Sequence, residues 1–266
     1  MQSHRSLSNI TRELLAAHNL YPKKRLGQNF LIDPAVLERI INAAELSSAD
    51  TVLEIGMGLG VLTEELAKKA KAVIALEVDP DMILICKKVL QAYSNLQIVR
   101  KSFLEWDLPS YLESFKIVGN LPYYITTPTI ERIIEEFNEK VSLAVLTIQK
   151  EVAERIVSPP GSKVFGSISV FVQNLAAVRI DSLISKYSFY PQPEVSSAIL
   201  VLKPYTSPKY QINQELVRAA FSQRRKTIRN SLAGYNIDWD KTGIDPRRRA
   251  ETLSLAEFEK ISQKSA

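Results

Sequence analysis

The chain has 266 residues, 45% of them hydrophobic, and lacks any apolar run near 18 residues, so it reads as a soluble protein of one large domain, or one large and one small. Cys86 is the only cysteine, which excludes an internal disulfide and points to a reducing, cytoplasmic compartment; the only histidines, His4 and His18, precede the first fold signals, which argues against histidine catalysis and a histidine metal site. The net charge of +5 comes entirely from residues 207–266, with 12 Lys and Arg against 7 Asp and Glu, while residues 1–206 balance at 22 of each, so a polyanion docking at one end is expected.

Met1 to Pro22 has Glu13 as its only acid and no secretory apolar core; an amphipathic helix through Thr11–His18 fits it better than a transit peptide. Lys23, Lys24 and Arg25 open a basic, glycine-broken loop that runs to Leu31, and phosphate contact competes evenly with a solvated charge run there. Asp33-Pro34 is a helix start, with Asp as the cap and Pro in the first turn, and Val36, Leu37, Ile40, Ile41 and Ala44 keep helical spacing after it.

Thr51–Ile55 reads as a strand, followed by the turn Gly56-Met57-Gly58-Leu59-Gly60 and a helix through Leu62–Ala70. A glycine-rich turn between strand and helix lets backbone approach a ligand at the helix amino end. The next strand, Lys71–Val78, carries Glu77 about 20 residues beyond the first glycine, where an acid accepts the two hydroxyls of an adenosine ribose. A helix through Met82–Tyr93, a strand at Leu96–Arg100 and a loop from Ser102 to Asp107 follow.

Lys116-Ile117-Val118 is a short buried strand that runs into Gly119-Asn120-Leu121-Pro122-Tyr123. Pro122 cannot extend a sheet, so Asn120 to Tyr123 should hang off the carboxyl end of the strand, where open α/β sheets bind ligands. Proline also restricts Leu121 to extended geometry and so aims its carbonyl. An amide, an aimed carbonyl and an aromatic face can hold a flat base by its exocyclic amine. A helix through Thr129–Phe137, a strand at Leu143–Ile148, a helix opened by Gln149-Lys150-Glu151, helical spacing over Ser167–Asn174 and strands at Val178–Leu183 and Ser196–Leu202 complete the body. The alternation predicts a mostly parallel, doubly wound α/β sheet. Pro204 to Pro208 reads as a linker to a small helical domain at 207–266, whose Phe221–Leu232 helix carries Arg224, Arg225, Lys226 and Arg229, with Arg247-Arg248-Arg249 as a second basic cluster.

The glycine turn with its ribose acid suits a nicotinamide enzyme or an S-adenosylmethionine (SAM) enzyme. Val61 stands where the nicotinamide fingerprint wants a small residue, and no histidine or Tyr/Lys pair is at hand for proton exchange in hydride transfer. Methyl transfer needs alignment of an activated methyl with a nucleophile, and an adenine amine becomes a better nucleophile when Asn120 and Leu121 accept its protons and Tyr123 stacks on the extracted base.

The segments Lys24–Leu31, Val52–Gly60, Asn120–Thr127, Gln149–Arg155 and Phe221–Leu232 together resemble the ribosomal RNA adenine dimethyltransferases, most closely the small-subunit branch. The resemblance runs from about Lys23 to the end of the chain. It implies a Rossmann-like SAM-dependent methyltransferase domain at 1–206 with an all-helical RNA-binding domain at 207–266. It further implies dimethylation of two adjacent adenosines near the 3′ end of 16S rRNA in the small ribosomal subunit by a monomer that needs no metal and no membrane. Carried over by position, Asn29, Leu31, Gly56, Gly58, Glu77, Ser102 and Asn120 would bind SAM, and Phe189 would lie near the target base beside Asn120, Leu121 and Tyr123. Lys23, Lys24, Arg25, Arg224, Arg225, Lys226, Arg229 and Arg248 would contact RNA. Three positions depart from the family pattern: Met57 for a proline, Glu194 for a lysine, and Ser102 for an aspartate that binds the adenine of the cofactor. Two alternatives stay open on the residues alone, a large-subunit dimethyltransferase and a non-catalytic RNA- or promoter-binding relative.

Overall fold

A computed structural model describes residues 6–264; part of the amino-terminal segment, His4 included, lies outside them. The elements in chain order are α1 (Leu7–Ala17), β1 (Phe30–Leu31), α2 (Pro34–Ala43), β2 (Thr51–Ile55), α3 (Val61–Lys69), β3 (Ala72–Glu77) and α4 (Pro80–Val89). Then come β4 (Leu96–Arg100), β5 (Phe115–Asn120), α5 (Thr126–Glu135), β6 (Val141–Gln149), α6 (Lys150–Val157) and α7 (Ser167–Leu175). The chain ends with β7 (Ala176–Ile184), β8 (Phe189–Tyr190), β9 (Ser197–Pro204), α8 (Gln214–Ser222), α9 (Ile228–Ser231), α10 (Trp239–Thr242) and α11 (Leu255–Gln263).

Seven strands form one sheet in the order β4-β3-β2-β5-β6-β9-β7. Strands β4 through β6 are parallel, and β9 turns antiparallel to β6. The chain leaves β2 toward β3 on one side and returns to pair β5 on the other, so the strand order switches between β2 and β5. A crevice at such a switch point is where doubly wound sheets take their ligands. Strands buried on both faces need continuous apolar runs, and Val52, Val73, Val118 and Val145 supply them against Leu37, Ile40 and Leu66 of the covering helices. Caps fix where helices begin. Asp33 and Asp79 each accept from amides of the first turn, with Pro34 and Pro80 as the first helical residues.

The molecule divides into two compact units, Met1–Lys150 with Arg179–Pro204, and Glu151–Val178 with Tyr205–Ala266. The expected boundary at 206/207 therefore assigns too little to the smaller unit. Phe165 and Val170 are buried in the same core as Leu216, Val217, Ile228, Leu232 and Phe258, which draws residues 151–178 into it. Asn174 adds polar ties to Tyr210, donating to its carbonyl and accepting from its amide.

A second correction concerns the basic helix expected over Phe221–Leu232. Helix α8 stops at Ser222 and α9 begins only at Ile228. The amide of Lys226 turns back to the Gln223 carbonyl, Thr227 is extended, and the Ile228 amide is taken by the Arg248 carbonyl at 2.6 Å. Arg225 thus lies in the turn itself and Arg229 in α9, so no single helix carries both. The two-residue pairing of β1 with β8 has no counterpart in the sequence reading; it sets Phe30 opposite Tyr190 and Leu31 opposite Phe189. Among the described residues no helix is long and apolar enough to cross a membrane.

Candidate active site

At the switch point β2 and β5 lie in register, with Ile55 opposite Gly119. A Cβ on Gly119 would meet the Ile55 carbonyl oxygen at 2.9 Å, so only glycine lets the strands close here. That closeness delivers the glycine turn after β2 and the Asn120–Tyr123 segment after β5 to one cavity of about 240 Å³. Asn120 is the last residue of β5 rather than the first of the loop, opposite Thr147 of β6.

Glycine is obligatory at the helix entry as well. Gly60 caps α3 at φ 81, and a Cβ there would sit 2.9 Å from Leu90. Met57, which stands where the resembling family has proline, is buried against Ala75, Ile83, Cys86 and Leu90 and so pins the turn by packing instead of by a ring. Glu77 ends β3 and is 7% exposed. One of its carboxyl oxygens accepts from the Gly58 amide at 2.9 Å, the other from the Val78 and Asp79 amides at 2.8 and 2.9 Å. Burial raises the Glu77 carboxyl above its ordinary range, and the three amide bonds partly counter that.

The residues expected to hold a cofactor, Asn29, Leu31, Gly56, Gly58, Glu77, Ser102 and Asn120, all line this cavity. So do the residues expected near the reacting base, Asn120, Leu121, Tyr123 and Phe189. The β1–β8 pair carries Phe189 to the same wall as Leu31. The Asn120 side-chain amide donates to the Asn29 carbonyl at 2.9 Å, which leaves its Oδ1 as an acceptor. Leu121 donates its amide to the Thr147 carbonyl at 3.0 Å. The Tyr123 hydroxyl lies 3.3 Å from Ser197 Oγ, tethering the ring to the start of β9. Ser102 accepts from the Leu104 amide at 3.3 Å and caps a short 3-10 turn at the cavity wall. Glu105 and Asp107 of the same loop are exposed and outside the cavity lining, and Asp107 pairs with Lys101 at 2.7 Å.

The sequence reading missed Glu54. It lies in β2 at the cavity, wholly buried, and neither carboxyl oxygen has a hydrogen-bond partner. Burial pushes its carboxyl up to about 8; Thr63 nearby lowers it somewhat and the Glu77 charge raises it further. The Thr63 hydroxyl is itself without a hydrogen-bond partner, so burial dominates. An acid inside a run of strand apolars, Thr51-Val52-Leu53-Glu54-Ile55, is the signal that could have found it.

The basic residues fare unequally. Lys24 and Arg25 are exposed beside the cavity loop, and Arg225, Lys226 and Arg229 are exposed in the smaller unit. Arg224 is exposed too, but donates to the Lys163 and Phe165 carbonyls, at 2.5 and 3.3 Å. Arg248 holds Glu257 and the Thr252 carbonyl. Lys23 is held by Asp79 and Asp81 at 2.7 and 2.6 Å. These three are engaged within the protein, which the one-dimensional charge pattern could not reveal.

The model of the family described as Ribosomal RNA adenine dimethylase matches residues 19–266. The chain belongs to that family. A Ribosomal RNA small subunit methyltransferase A of Clostridium botulinum (strain Langeland) is 43% identical over 267 aligned residues, which are 95% of this chain and 97% of the relative. The protein of the same name from Bacillus mycoides is 40% identical over 277 aligned residues, 96% of this chain and 94% of the relative. Among solved structures, a dimethyladenosine transferase from Plasmodium falciparum superposes with a TM-score of 0.73 at 29% identity, covering 87% of this chain and 95% of that one. The 23S rRNA methyltransferase ErmE superposes with a TM-score of 0.71 at 25% identity, covering 89% and 99%. The chain is thus a Rossmann-like α/β methyltransferase, as the resemblance implied.

Glu54 makes the stability of the enzyme pH-dependent in a defined direction. Its folded value of about 8 lies above the ordinary 4.5, so the folded state keeps a proton that the unfolded chain releases. Its contribution to stability is therefore present below about 4.5 and is lost as pH rises toward 8. Denaturant unfolding across that range should show a loss of at most about 1.4 kcal/mol per pH unit from this group. Glu54→Gln should flatten the profile; an unchanged profile would mean that Glu54 is ionised in the folded enzyme.

Proposed function

We propose that this methyltransferase uses SAM to dimethylate the exocyclic amines of two adjacent adenosines near the 3′ end of 16S rRNA in the small ribosomal subunit. The observation that carries the reading is the convergence at one switch-point cavity of a glycine turn, a buried Glu77 and the Asn120–Tyr123 segment. The relatives at 40–43% identity bear the small-subunit name and align along nearly their whole length, which favours the small subunit over the large one.

The donor set suits SAM. Glu77 offers an anionic acceptor for ribose hydroxyls, and the Gly58 loop brings backbone to the helix α3 entry. Ser102 would meet the adenine amine with a neutral hydroxyl where relatives of the usual pattern use a carboxylate. SAM supplies a methyl already activated on a positively charged sulfur, so the protein need only bind, orient and exclude water.

The acceptor needs more help, since the lone pair of an adenine amine is delocalised into the ring. Asn120 Oδ1 and the Leu121 carbonyl accept the amine protons and favour a pyramidal nitrogen whose lone pair is free. Tyr123, anchored through Ser197, stacks on the extracted base, and Phe189 closes the apolar wall. Lys24 and Arg25 in the larger unit, and Arg225, Lys226 and Arg229 in the smaller, contact phosphate. Phosphate contacts position RNA without reading its sequence.

Two experiments test this. Asn120→Ala should lower turnover on undermethylated small subunits about 10²–10³-fold while binding of the subunit stays intact; near-normal turnover contradicts the assignment. Replacing Arg225 and Arg229 together by Gln should flatten the plot of log affinity against log salt by about 0.7–0.9 for each phosphate no longer neutralised, with SAM affinity spared. A slope that stays put would leave those arginines as a solvated face.

A further inference from the structure

Lys23 was expected to meet RNA, yet it is the centre of a clasp next to Glu77. Its ammonium lies 2.7 Å from Asp79 Oδ1 and 2.6 Å from Asp81 Oδ2. Gln28 Nε2 donates to the other Asp79 oxygen at 2.7 Å, and Gln28 Oε1 accepts from the Lys23 amide at 2.8 Å. Asp79 is 1% exposed, so its charge depends on these partners. The Asp79 amide also donates to Glu77 Oε1 at 2.9 Å.

The clasp reaches the reacting end of the cavity through a short path. It closes residues 23–28 into a ring containing a 3-10 turn and Gly27 at φ 61. The next residue, Asn29, turns its side chain back to the Gly27 carbonyl at 3.1 Å and presents its own carbonyl to Asn120 Nδ2 at 2.9 Å. A carbonyl can only accept. It therefore selects the Asn120 orientation with the NH₂ inward and Oδ1 toward the cavity. In the flipped orientation Asn120 would offer donors to an amine that is itself a donor.

We propose that the Lys23–Gln28–Asp79 clasp is a positioning device for methyl transfer, fixing the Asn29 carbonyl so that Asn120 presents its oxygen to the acceptor amine. This rests on the role of Asn120 proposed above. Lys23 is on this account a positioning residue and not a phosphate contact.

The test compares Lys23→Met, Lys23→Arg, Asn120→Ala and the Lys23→Met/Asn120→Ala pair. Single-turnover methylation of undermethylated small subunits and the salt dependence of subunit binding are measured for each. The clasp account expects Lys23→Met to slow methylation roughly ten- to a hundredfold. The salt slope should be unaltered, Lys23→Arg should recover most of the rate, and Lys23→Met should slow the Asn120→Ala enzyme no further. An unchanged rate for Lys23→Met overturns the proposal, as does a slope flattened by about 0.7–0.9 with the rate of the bound complex retained. Full additivity with Asn120→Ala also overturns it, because the effect then travels by another route. A normal rate for Asn120→Ala itself refutes the parent reading, whereas a slow Asn120→Ala beside a normal Lys23→Met refutes only the clasp. Should Lys23→Met not fold, Gln28→Leu, which keeps the ion pairs and removes both Gln28 bonds, is read by the same criteria.

Discussion

The close approach of β2 and β5 is the constraint on which the site depends. With Ile55 opposite Gly119 and no side chain between the strands, the ends of two segments some 60 residues apart in sequence emerge side by side. One end carries the backbone that can approach a cofactor, and the other carries the amide that can hold a base. A larger residue at Gly119 would push against a backbone oxygen, which cannot move aside as the tip of a flexible side chain could. The site is therefore specified by the sheet itself and only trimmed by loops.

Around that junction the molecule stabilises polar groups by linking them. Glu77 is buried, but three amides donate to it; Asp79 is buried, but Lys23 and Gln28 hold it. Several groups there lack a hydrogen-bond partner, the Thr63, Thr126 and Thr147 hydroxyls among them, but Glu54 is the one acid, fully buried in β2 at the cavity wall. Buried polar groups left unsatisfied are costly and tend to mark function.

Much of the fold was legible in the residues. Strand and helix periods in the body matched the elements found, because buried parallel strands and amphipathic helices write strong patterns. The Asn120-Leu121-Pro122-Tyr123 segment and the glycine turn stood out because proline fixes backbone geometry while glycine permits conformations other residues avoid, and both are explicit in the sequence. What escaped was tertiary. The β1–β8 pair is two residues long, too short for any period. Residues 151–178 join the smaller unit through Phe165 and Val170, packing invisible to a linker drawn at 204–208. At the break over 223–227 the Ile228 amide is taken by the Arg248 carbonyl, a partner distant in sequence that no local pattern shows. Lys23 looked like part of a basic run because its partners, Asp79 and Asp81, lie more than 50 residues away.

The central claim is that one cavity, built at the β2–β5 junction, methylates adenosine amines of small-subunit RNA. The most direct measurement supplies the purified enzyme with methyl-labelled SAM and undermethylated small subunits, then maps the modified bases. The account predicts label on the exocyclic nitrogens of two adjacent adenosines near the 3′ end of 16S rRNA, two methyls on each. Label confined to large-subunit RNA, or absent under conditions where the enzyme binds SAM, would contradict it.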